Sequence, residues 1–338
     1  MFKFTLKRLL TAVIVLLILT LVVFLMTRLI PSNPAIVYVG PKAPPEVIAQ
    51  VTAELGLDRP IFVQYFEYLG GLFTGDWGNS LSTKRPVLLE LATRLPATLE
   101  LIAAAMAIAA IGGVTLGVLA VRRPGKFLDG AIRSLSIGGV SMPAFWLGLL
   151  LQLLFVGNLK LLPATGQFSN ALEYTNPITP VTNFALFDSL ITGNWVAFGD
   201  GLQHLILPAI TLAAYPLGLM ARMVRSAMLE VLGQDHIFTA RAYGLRERVV
   251  HWKLALKNAL PSTVTVFGLS IAYALTGTFF VEVVFNWPGI GQFITAAMVA
   301  VDYPTIMAVT LLGAAAYLLS NFVVDVVQAK IDPRVRIS

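Results

Sequence analysis

The sequence predicts an all-α membrane protein that crosses a bilayer with six helices. Of its 338 residues, 57% are hydrophobic and only 12% are charged, whereas an average soluble chain carries about 25% charged residues. The hydrophobic residues also occur in long unbroken runs. A helix of about 20 apolar residues spans the hydrocarbon core of a bilayer, which is about 30 Å thick.

The first apolar run, Leu9–Met26, contains no charged residue and follows several basic residues. A cleaved signal peptide also has basic residues before an apolar stretch. That stretch is usually about 7–15 residues long and ends in a small-x-small cleavage pattern, which is missing here. We therefore expect the first helix to be retained.

Five further runs predict five further spans: Leu99–Val121, Leu135–Val156, Leu205–Met223, Val264–Phe285 and Ile306–Val327. Glycine and proline inside these runs would weaken soluble helices, but membrane helices tolerate both residues. Gly113 and Gly117 form a GxxxG pattern. That pattern permits close contact between helices, and simple packing is the interpretation we favour.

The distribution of basic residues predicts the orientation. Six spans place most Lys and Arg residues on the same side as the N-terminus. The other side holds Arg28, Lys42, Arg59, Lys84, Arg85, Arg94 and Lys160. Positive residues concentrate on the cytoplasmic side of membrane proteins, so we expect both termini in the cytoplasm. The net charge of +6 then follows from topology and does not indicate nucleic-acid binding.

This orientation divides the chain into a first helix, an extracytoplasmic segment, a five-helix core and a cytoplasmic tail: residues 1–30, 31–95, 96–328 and 329–338. Within the core, residues 160–203 form a second extracytoplasmic segment and residues 227–261 a cytoplasmic loop. Each outer segment could dock a soluble receptor or cap the helices, and the sequence pattern does not decide between these roles.

The sequence offers no set of residues for enzymatic chemistry. Gly125-Lys126 lacks both the following Ser or Thr and the earlier glycine of a phosphate-binding loop. His204, His236 and His251 lack metal-ligand spacing, and there is neither a G-x-S-x-G motif nor a cysteine. We expect no catalytic residue, metal or cofactor in this chain, which argues against a membrane enzyme.

A secondary carrier or channel that acts alone is a second alternative. Proton-coupled carriers place acidic residues inside the membrane. Glu100, Glu282 and Asp302 lie instead toward the outer ends of the predicted spans, and Asp325 toward an inner end. This distribution disfavours a carrier of that kind.

The cytoplasmic loop contains two helical patterns separated by a glycine. The stretch "DHIFTARAY" predicts a short helix that begins at Asp235 and ends at Gly244, where we expect a positive φ. From Arg246 onward, apolar residues recur at helical spacing and are expected to hold the returning helix against the bundle. These residues are Val249, Trp252, Leu256 and Leu260.

A basic helix on anionic lipid is the simpler interpretation of this loop, and membrane lipid is an expected partner in either case. That interpretation does not explain the glycine between the two helices. The small Ala240 and Ala242 would let a protein partner approach closely, and Arg241, Arg246 and Arg248 could pair with its acidic groups or with lipid headgroups.

The loop resembles the EAA loop of ATP-binding-cassette importer permeases, whose pattern is E-A-A-x-x-x-G, nine residues, I-x-L-P. The matching positions are Ala240, Gly244, Leu254 and Leu256. The departures are Phe238, Thr239 and Lys257, which stand at the Glu, first Ala and Pro positions.

Longer blocks extend the resemblance over nearly the whole chain. They are "GDWGNSLSTKRPVLLELATRLPATLEL", "MVRSAMLEVLGQD", "VEVVFNWPGIGQ", "VDYPTIMAV" and "NFVVDVVQAKIDPRVR". Their kind and order are similar to the oligopeptide/dipeptide/nickel branch of the importer family, and within it to the B-type permease subunits of dipeptide importers.

The resemblance implies a type I importer permease in the bacterial inner membrane. The chain would form half of a pathway for dipeptides or oligopeptides, with nickel, opines or oligosaccharides as alternative substrates. Its partners would be a second related permease subunit, two ATP-binding subunits that bind ATP and Mg, and an extracytoplasmic solute-binding protein. The residues expected to couple the chain to an ATPase are Phe238, Thr239, Ala240, Arg241, Ala242, Gly244, Leu254 and Leu256.

Overall fold

A computed structural model describes residues 2–29, 34–40, 42–54 and 56–331 of the chain. Within these ranges the regular structure is helical, and the only β pairing is an isolated bridge between Asn79 and Pro86. The all-α prediction is therefore confirmed.

The helices follow one another in chain order as α1 (Phe2–Leu29), α2 (Pro34–Val39), α3 (Pro45–Glu54), α4 (Ile61–Thr74), α5 (Val87–Val121), α6 (Phe127–Ser141), α7 (Ala144–Gln152), α8 (Leu172–Thr175), α9 (Ala185–Ile191), α10 (Trp195–Leu232), α11 (Asp235–Ala242), α12 (Glu247–Val249), α13 (Leu256–Val284), α14 (Ile290–Val299) and α15 (Tyr303–Ile331). Two π-helical segments, Leu153–Asn158 and Val250–Ala255, directly follow α7 and α12.

Five stretches of the described chain are long and apolar enough to cross a membrane: Arg8–Arg28, Val87–Val121, Trp195–Leu232, Glu247–Val284 and Tyr303–Val324. A bent pair, Phe127–Ser141 and Ala144–Asn158, passes the same test together. If this pair counts as one span, the chain has the six crossings that its sequence predicts.

The third span differs from the continuous helix predicted over Leu135–Val156. It breaks after Ser141, and the two halves are bent by 110°. Pro143 explains the break, because its ring disfavours a helical conformation at Met142 and it has no N–H to donate to the carbonyl of Gly139. The prediction of one uninterrupted helix here is wrong.

The first of two compact units comprises Met1–Pro96 and Pro288–Leu318. The buried carboxylate of Asp302 accepts hydrogen bonds from the hydroxyls of Ser80 and Ser82 and from the Ser82 amide. Helix α4 packs on α1, where the Tyr65 hydroxyl lies 3.0 Å from Thr20 Oγ1. Acidic and hydroxyl side chains thus fix the segment that follows α1.

The second unit comprises Ala97–Trp287 and Leu319–Ser338 and contains the largest apolar core, which α5, α10 and α13 supply. A Cβ atom placed on Gly113 would lie 2.7 Å from Met220 Cβ, and one on Gly117 would lie 2.6 Å from Val224 Cβ. The GxxxG pattern therefore does permit close contact, since α5 and α10 pack with no room for a side chain at these positions.

An ion pair joins the first turn of α6 to the last part of α10. Asp129 is buried, and its two carboxylate oxygens lie 2.6 and 2.8 Å from Nε and an NH₂ nitrogen of Arg225. The Gly125 amide donates a third hydrogen bond to Asp129. Two parallel bonds from a guanidinium to a carboxylate fix orientation as well as distance. This pair holds the chain just before the loop at residues 227–261.

Candidate functional site

The loop after α10 begins with the short helix α11, Asp235–Ala242. Asp235 was expected to start this helix as its cap. The structure instead places Gln234 in extended conformation at the cap position, and Asp235 is the first helical residue. A carboxylate in the first turn still stabilises a helix, because it meets the positive end of the helix dipole.

Helix α11 ends in a Schellman motif at Gly244. The Leu245 amide donates to the Ala240 carbonyl at 3.2 Å, and the Gly244 amide donates to the Arg241 carbonyl at 2.9 Å. Gly244 has a φ of +76°, a conformation that costs other residues about 1–2 kcal/mol. The positive φ predicted at Gly244 is confirmed.

The inner face of α11 is anchored by Ile237, which is fully buried. Its side chain joins a cluster from α5, α10 and the returning helix: Val118, Val121, Val224, Met228, Val231, Val250, Ala255 and Ala259. Leu254 and Leu256 pack against this cluster. Ala240 is only 8% exposed. Of the two alanines expected to let a partner approach closely, therefore, only Ala242 is exposed.

The outer face of α11 and its turn expose large apolar side chains. Phe238 is 58% exposed, and Tyr243, directly before Gly244, is 84% exposed. Thr239, Arg246 and Arg248 are exposed beside them. Buried aromatic and arginine side chains contribute much of the binding energy in protein interfaces. The exposed face thus has the composition of a surface that another protein covers.

Arg241 is paired within the chain. Its guanidinium donates to both carboxylate oxygens of Glu247, at 2.9 and 3.3 Å. This pair closes the loop across Gly244, and His251 Nδ1 donates to the Glu247 carbonyl at 2.7 Å. Arg241 was expected to pair with acidic groups of a partner or with lipid headgroups, and its pairing with Glu247 was not predicted. An acid on the far side of a predicted turn was the available signal.

The returning helix buries a different face from the predicted one. Of Val249, Trp252, Leu256 and Leu260, which were expected to face the bundle, only Leu256 packs against the cluster described above. The buried positions are instead Val250, His251, Ala255 and Ala259. The π-helical segment inserts a five-residue step between Val250 and Ala255, which rotates the face relative to a regular helix. Trp252 and Leu260 are left exposed.

Each histidine has a nearby partner. His204 Nδ1 donates to the Asp200 carbonyl, His251 donates to Glu247, and His236 Nε2 lies 3.2 Å from the Asn258 amide nitrogen. The last contact joins α11 to α13. Over the described residues, no group of three or more His, Cys, Asp or Glu side chains could hold a metal ion.

Two family profiles match the chain. The binding-protein-dependent transport system inner membrane component matches residues 113–337. The N-terminal profile of a binding-protein-dependent transport system membrane component matches residues 1–102. Together they account for nearly all of the sequence.

Curated relatives have similar length. A probable D,D-dipeptide transport system permease protein of Escherichia coli (strain K12) is 43% identical over 93% of this chain and 92% of its own length. A di/tripeptide transport system permease protein of Pseudomonas aeruginosa (strain UCBPP-PA14) is 42% identical over 94% of both chains. A glutathione transport system permease protein of Salmonella choleraesuis (strain SC-B67) is 37% identical over 99% of both.

Proposed function

Because the chain belongs to the family of inner-membrane components of binding-protein-dependent transport systems, we propose that it forms half of an import pathway for dipeptides or short oligopeptides. The family is a transport component with the type I permease fold and is not an enzyme. One observation carries the substrate class. The relatives named above transport D,D-dipeptides, di- and tripeptides, or glutathione, which are all short peptides.

The proposed energy source is ATP hydrolysis on partner subunits, where ATP and Mg bind. Two such subunits would dock below the membrane, and the loop at residues 227–261 would fit a groove on one of them. Exposed Phe238 and Tyr243 support this assignment, as does the rigid turn at Gly244. The ion pair between Asp129 and Arg225 and the tight α5–α10 packing would carry a movement of α11 into the bundle.

A second homologous permease subunit would complete the pathway, and an extracytoplasmic solute-binding protein would deliver the peptide. Both termini are proposed to lie in the cytoplasm, with the segments at residues 31–95 and 160–203 outside. The chain has no cysteine. The side from which a reagent labels a single introduced cysteine therefore gives the side of the membrane on which that residue lies. Asp58→Cys should label from outside and Lys126→Cys from inside, and labelling of both from one side would contradict this orientation.

The function is tested with the complete importer in proteoliposomes. The expected result is uptake of a labelled dipeptide that requires ATP, Mg, the binding protein and this subunit, while this subunit alone hydrolyses no ATP. Unlabelled dipeptide should compete, and nickel or an oligosaccharide should not. An assembled complex that hydrolyses ATP but accumulates nickel or a sugar, and no peptide, would refute the substrate class.

A further inference from the structure

The third span breaks about halfway along its length, between Phe127–Ser141 and Ala144–Asn158, and frees backbone carbonyls. Pro143 has no N–H to donate to the Gly139 carbonyl. The amides that would donate to the carbonyls of Val140 and Ser141 in a continuous helix belong to residues beyond the break. In the described part of the chain, the only hydrogen bond recorded across this turn runs from the Met142 amide to the Gly138 carbonyl. Non-helical backbone at membrane depth is tolerated where it is buried in protein or lines a water-filled cavity.

Two tyrosines stand beside this break. The rings of Tyr215 on α10 and Tyr273 on α13 stack with centroids 4.0 Å apart. At about 1.5 Å per residue, Tyr215 lies about 16 Å from His204 and about 10 Å from Arg222 along α10. Tyr215 and Tyr273 therefore both lie well inside apolar spans, Trp195–Leu232 and Glu247–Val284. No hydrogen bond is found for either hydroxyl among the described residues.

The break and the tyrosines line the same small cavity. Gly139, Met142, Tyr215 and Tyr273 all contribute to its wall, and none of its lining residues is charged. Its volume is about 10 Å³, close to the space that one water needs. A Cβ on Gly139 would lie 2.8 Å from the Ala214 carbonyl oxygen, so the backbones of α6 and α10 touch at this level. In this conformation the cavity is closed to a peptide.

The chemistry of the wall favours a positive group. Carbonyl oxygens only accept hydrogen bonds, the C-terminal end of α6 carries the negative end of its dipole, and tyrosine ring faces attract cations. The α-amino group of a peptide is largely protonated at neutral pH. Because the lining contains no carboxylate, an ammonium group would be held weakly, as passage through a pathway requires.

We propose that the break at Ser141–Pro143, with Tyr215 and Tyr273, holds the N-terminal ammonium group of the peptide as it crosses the membrane. The stacked rings close the pathway in the present conformation and separate when the peptide passes. This inference rests on the proposed import of dipeptides and adds the part of the substrate that is recognised within the membrane.

Met142 offers a probe that leaves both rings and the carbonyls in place. In an importer with cysteine-free partners, Met142→Cys is the single thiol. It is treated with methanethiosulfonate ethylammonium or with the ethylsulfonate reagent of similar size, during ATP turnover. The labelling rate of each reagent at Met142→Cys is divided by its labelling rate at Met298→Cys, to correct for the different reactivities of the two reagents. Met298 lies on α14 and is 52% exposed. The ammonium reagent should react about tenfold faster after this correction, because the ring faces and the dipole act together.

A second set of variants tests the rings. Tyr215→Leu and Tyr273→Leu, each combined with Met142→Cys, should reduce the preference to about threefold. Tyr317→Leu is the matched control, since Tyr317 is 46% and Tyr273 38% exposed, and it should leave the preference unchanged. Saturating dipeptide should slow labelling of Met142→Cys by the ammonium reagent.

Equal corrected rates for the two reagents, or no labelling by either during turnover, would overturn the inference. The Met142→Cys measurement alone decides this if a leucine variant fails to assemble. Dipeptide uptake by the wild-type importer is measured in parallel. Its absence would contradict the proposed function, whereas normal uptake with equal labelling rates would contradict only the role of the break.

Discussion

The turn before α9 and the turn after α11 are closed by different means. In the turn before α9, on the proposed outer side, Asp188 is 1% exposed and accepts hydrogen bonds from the amides of Val181, Thr182 and Asn183. On the proposed inner side, the turn at Gly244 is closed by backbone hydrogen bonds and by an exposed pair between Arg241 and Glu247. The outer turn thus depends on one buried side chain, and the inner turn depends on one backbone conformation.

This difference suggests that the turn before α9 contributes mainly to the stability of the fold, and the turn after α11 mainly to interaction with a partner. A buried carboxylate that satisfies several amides contributes much to folding, because its loss leaves those donors unpaired. An exposed ion pair contributes about 0–1 kcal/mol. The inner turn is closed without burying the side chains of Phe238 and Tyr243, which are exposed in the isolated chain. We expect changes in the outer turn to lower stability, and changes in the inner turn to affect the partner while the fold persists.

The largest effect is expected for Asp188→Ala. It removes the acceptor for three amides and for the Thr182 hydroxyl, whose Oγ1 lies 2.6 Å from the carboxylate. Hydrogen bonds to a charged group contribute about 1.5–3 kcal/mol each where they are partly shielded from water, so the unfolding free energy should fall by about 3 kcal/mol. Thermal unfolding of the purified chain measures this loss. Asp58→Ala, at an exposed outer acid, is the control and should change it by less than about 0.5 kcal/mol. Equal losses of unfolding free energy for Asp188→Ala and Asp58→Ala would contradict a special role of Asp188 in this turn.

A smaller loss should follow when Asp188 is kept but protonated. Burial alone would raise the pKa of this carboxyl, but the hydrogen bonds from Thr182, Val181 and Asn183 outweigh it and lower the pKa. A lowered folded-state pKa gives stability that is complete above the unfolded value of about 3.9 and is lost as the pH falls below it. The melting temperature should therefore fall more steeply below about pH 4 for the wild type than for Asp188→Asn. Parallel curves would exclude a contribution from this residue.

The next effect belongs to the inner turn. Gly244→Val should cost about 1–2 kcal/mol locally because of the positive φ, and we expect it to reduce uptake per ATP hydrolysed in the reconstituted importer. Gly233→Ala is the matched control in the same loop, since its φ is −87°, and it should transport normally. Full coupled uptake by the Gly244 variant would show that the turn is not needed for coupling.

The smallest effect is expected for Arg241→Ala. Its ion pair with Glu247 is exposed and is worth about 0–1 kcal/mol. Uptake should fall less than twofold, and added salt should affect the wild type more than the variant, because salt screens the pair. A loss as large as that of Gly244→Val would indicate that Arg241 binds the partner directly.

The sequence predicted the parts of this structure that depend on local chemistry. Span number follows from apolar run length, and the turn at Gly244 follows from a residue that accepts positive φ. The buried face of the returning helix could not be predicted, because a π-helical segment changes the spacing without a clear sequence signal. The pair between Arg241 and Glu247 was missed although an acid follows the predicted turn, because the pair forms only after the turn brings the two residues together.

The break in the third span could be predicted only in part from the sequence. Pro143 was visible within an apolar run, and membrane helices often continue through proline. Whether the helix kinks or ends depends on how its neighbours pack. Here Gly139 and Gly218 let the backbones of α6 and α10 approach closely next to the break. That packing is a tertiary feature, which explains why a continuous span was predicted.

The central claim is that the exposed face of α11 binds an ATP-binding partner. The most direct test is the affinity of that purified subunit for this chain in nanodiscs, for the wild type and for Phe238→Ala with Tyr243→Ala. Phe187→Ala, at an aromatic residue that is 51% exposed in α9, is the control. We predict at least tenfold weaker binding for the double variant, because exposed aromatic residues become anchors when a partner covers them, and unchanged binding for the control. Unchanged affinity of the double variant, with the fold intact, would contradict the account.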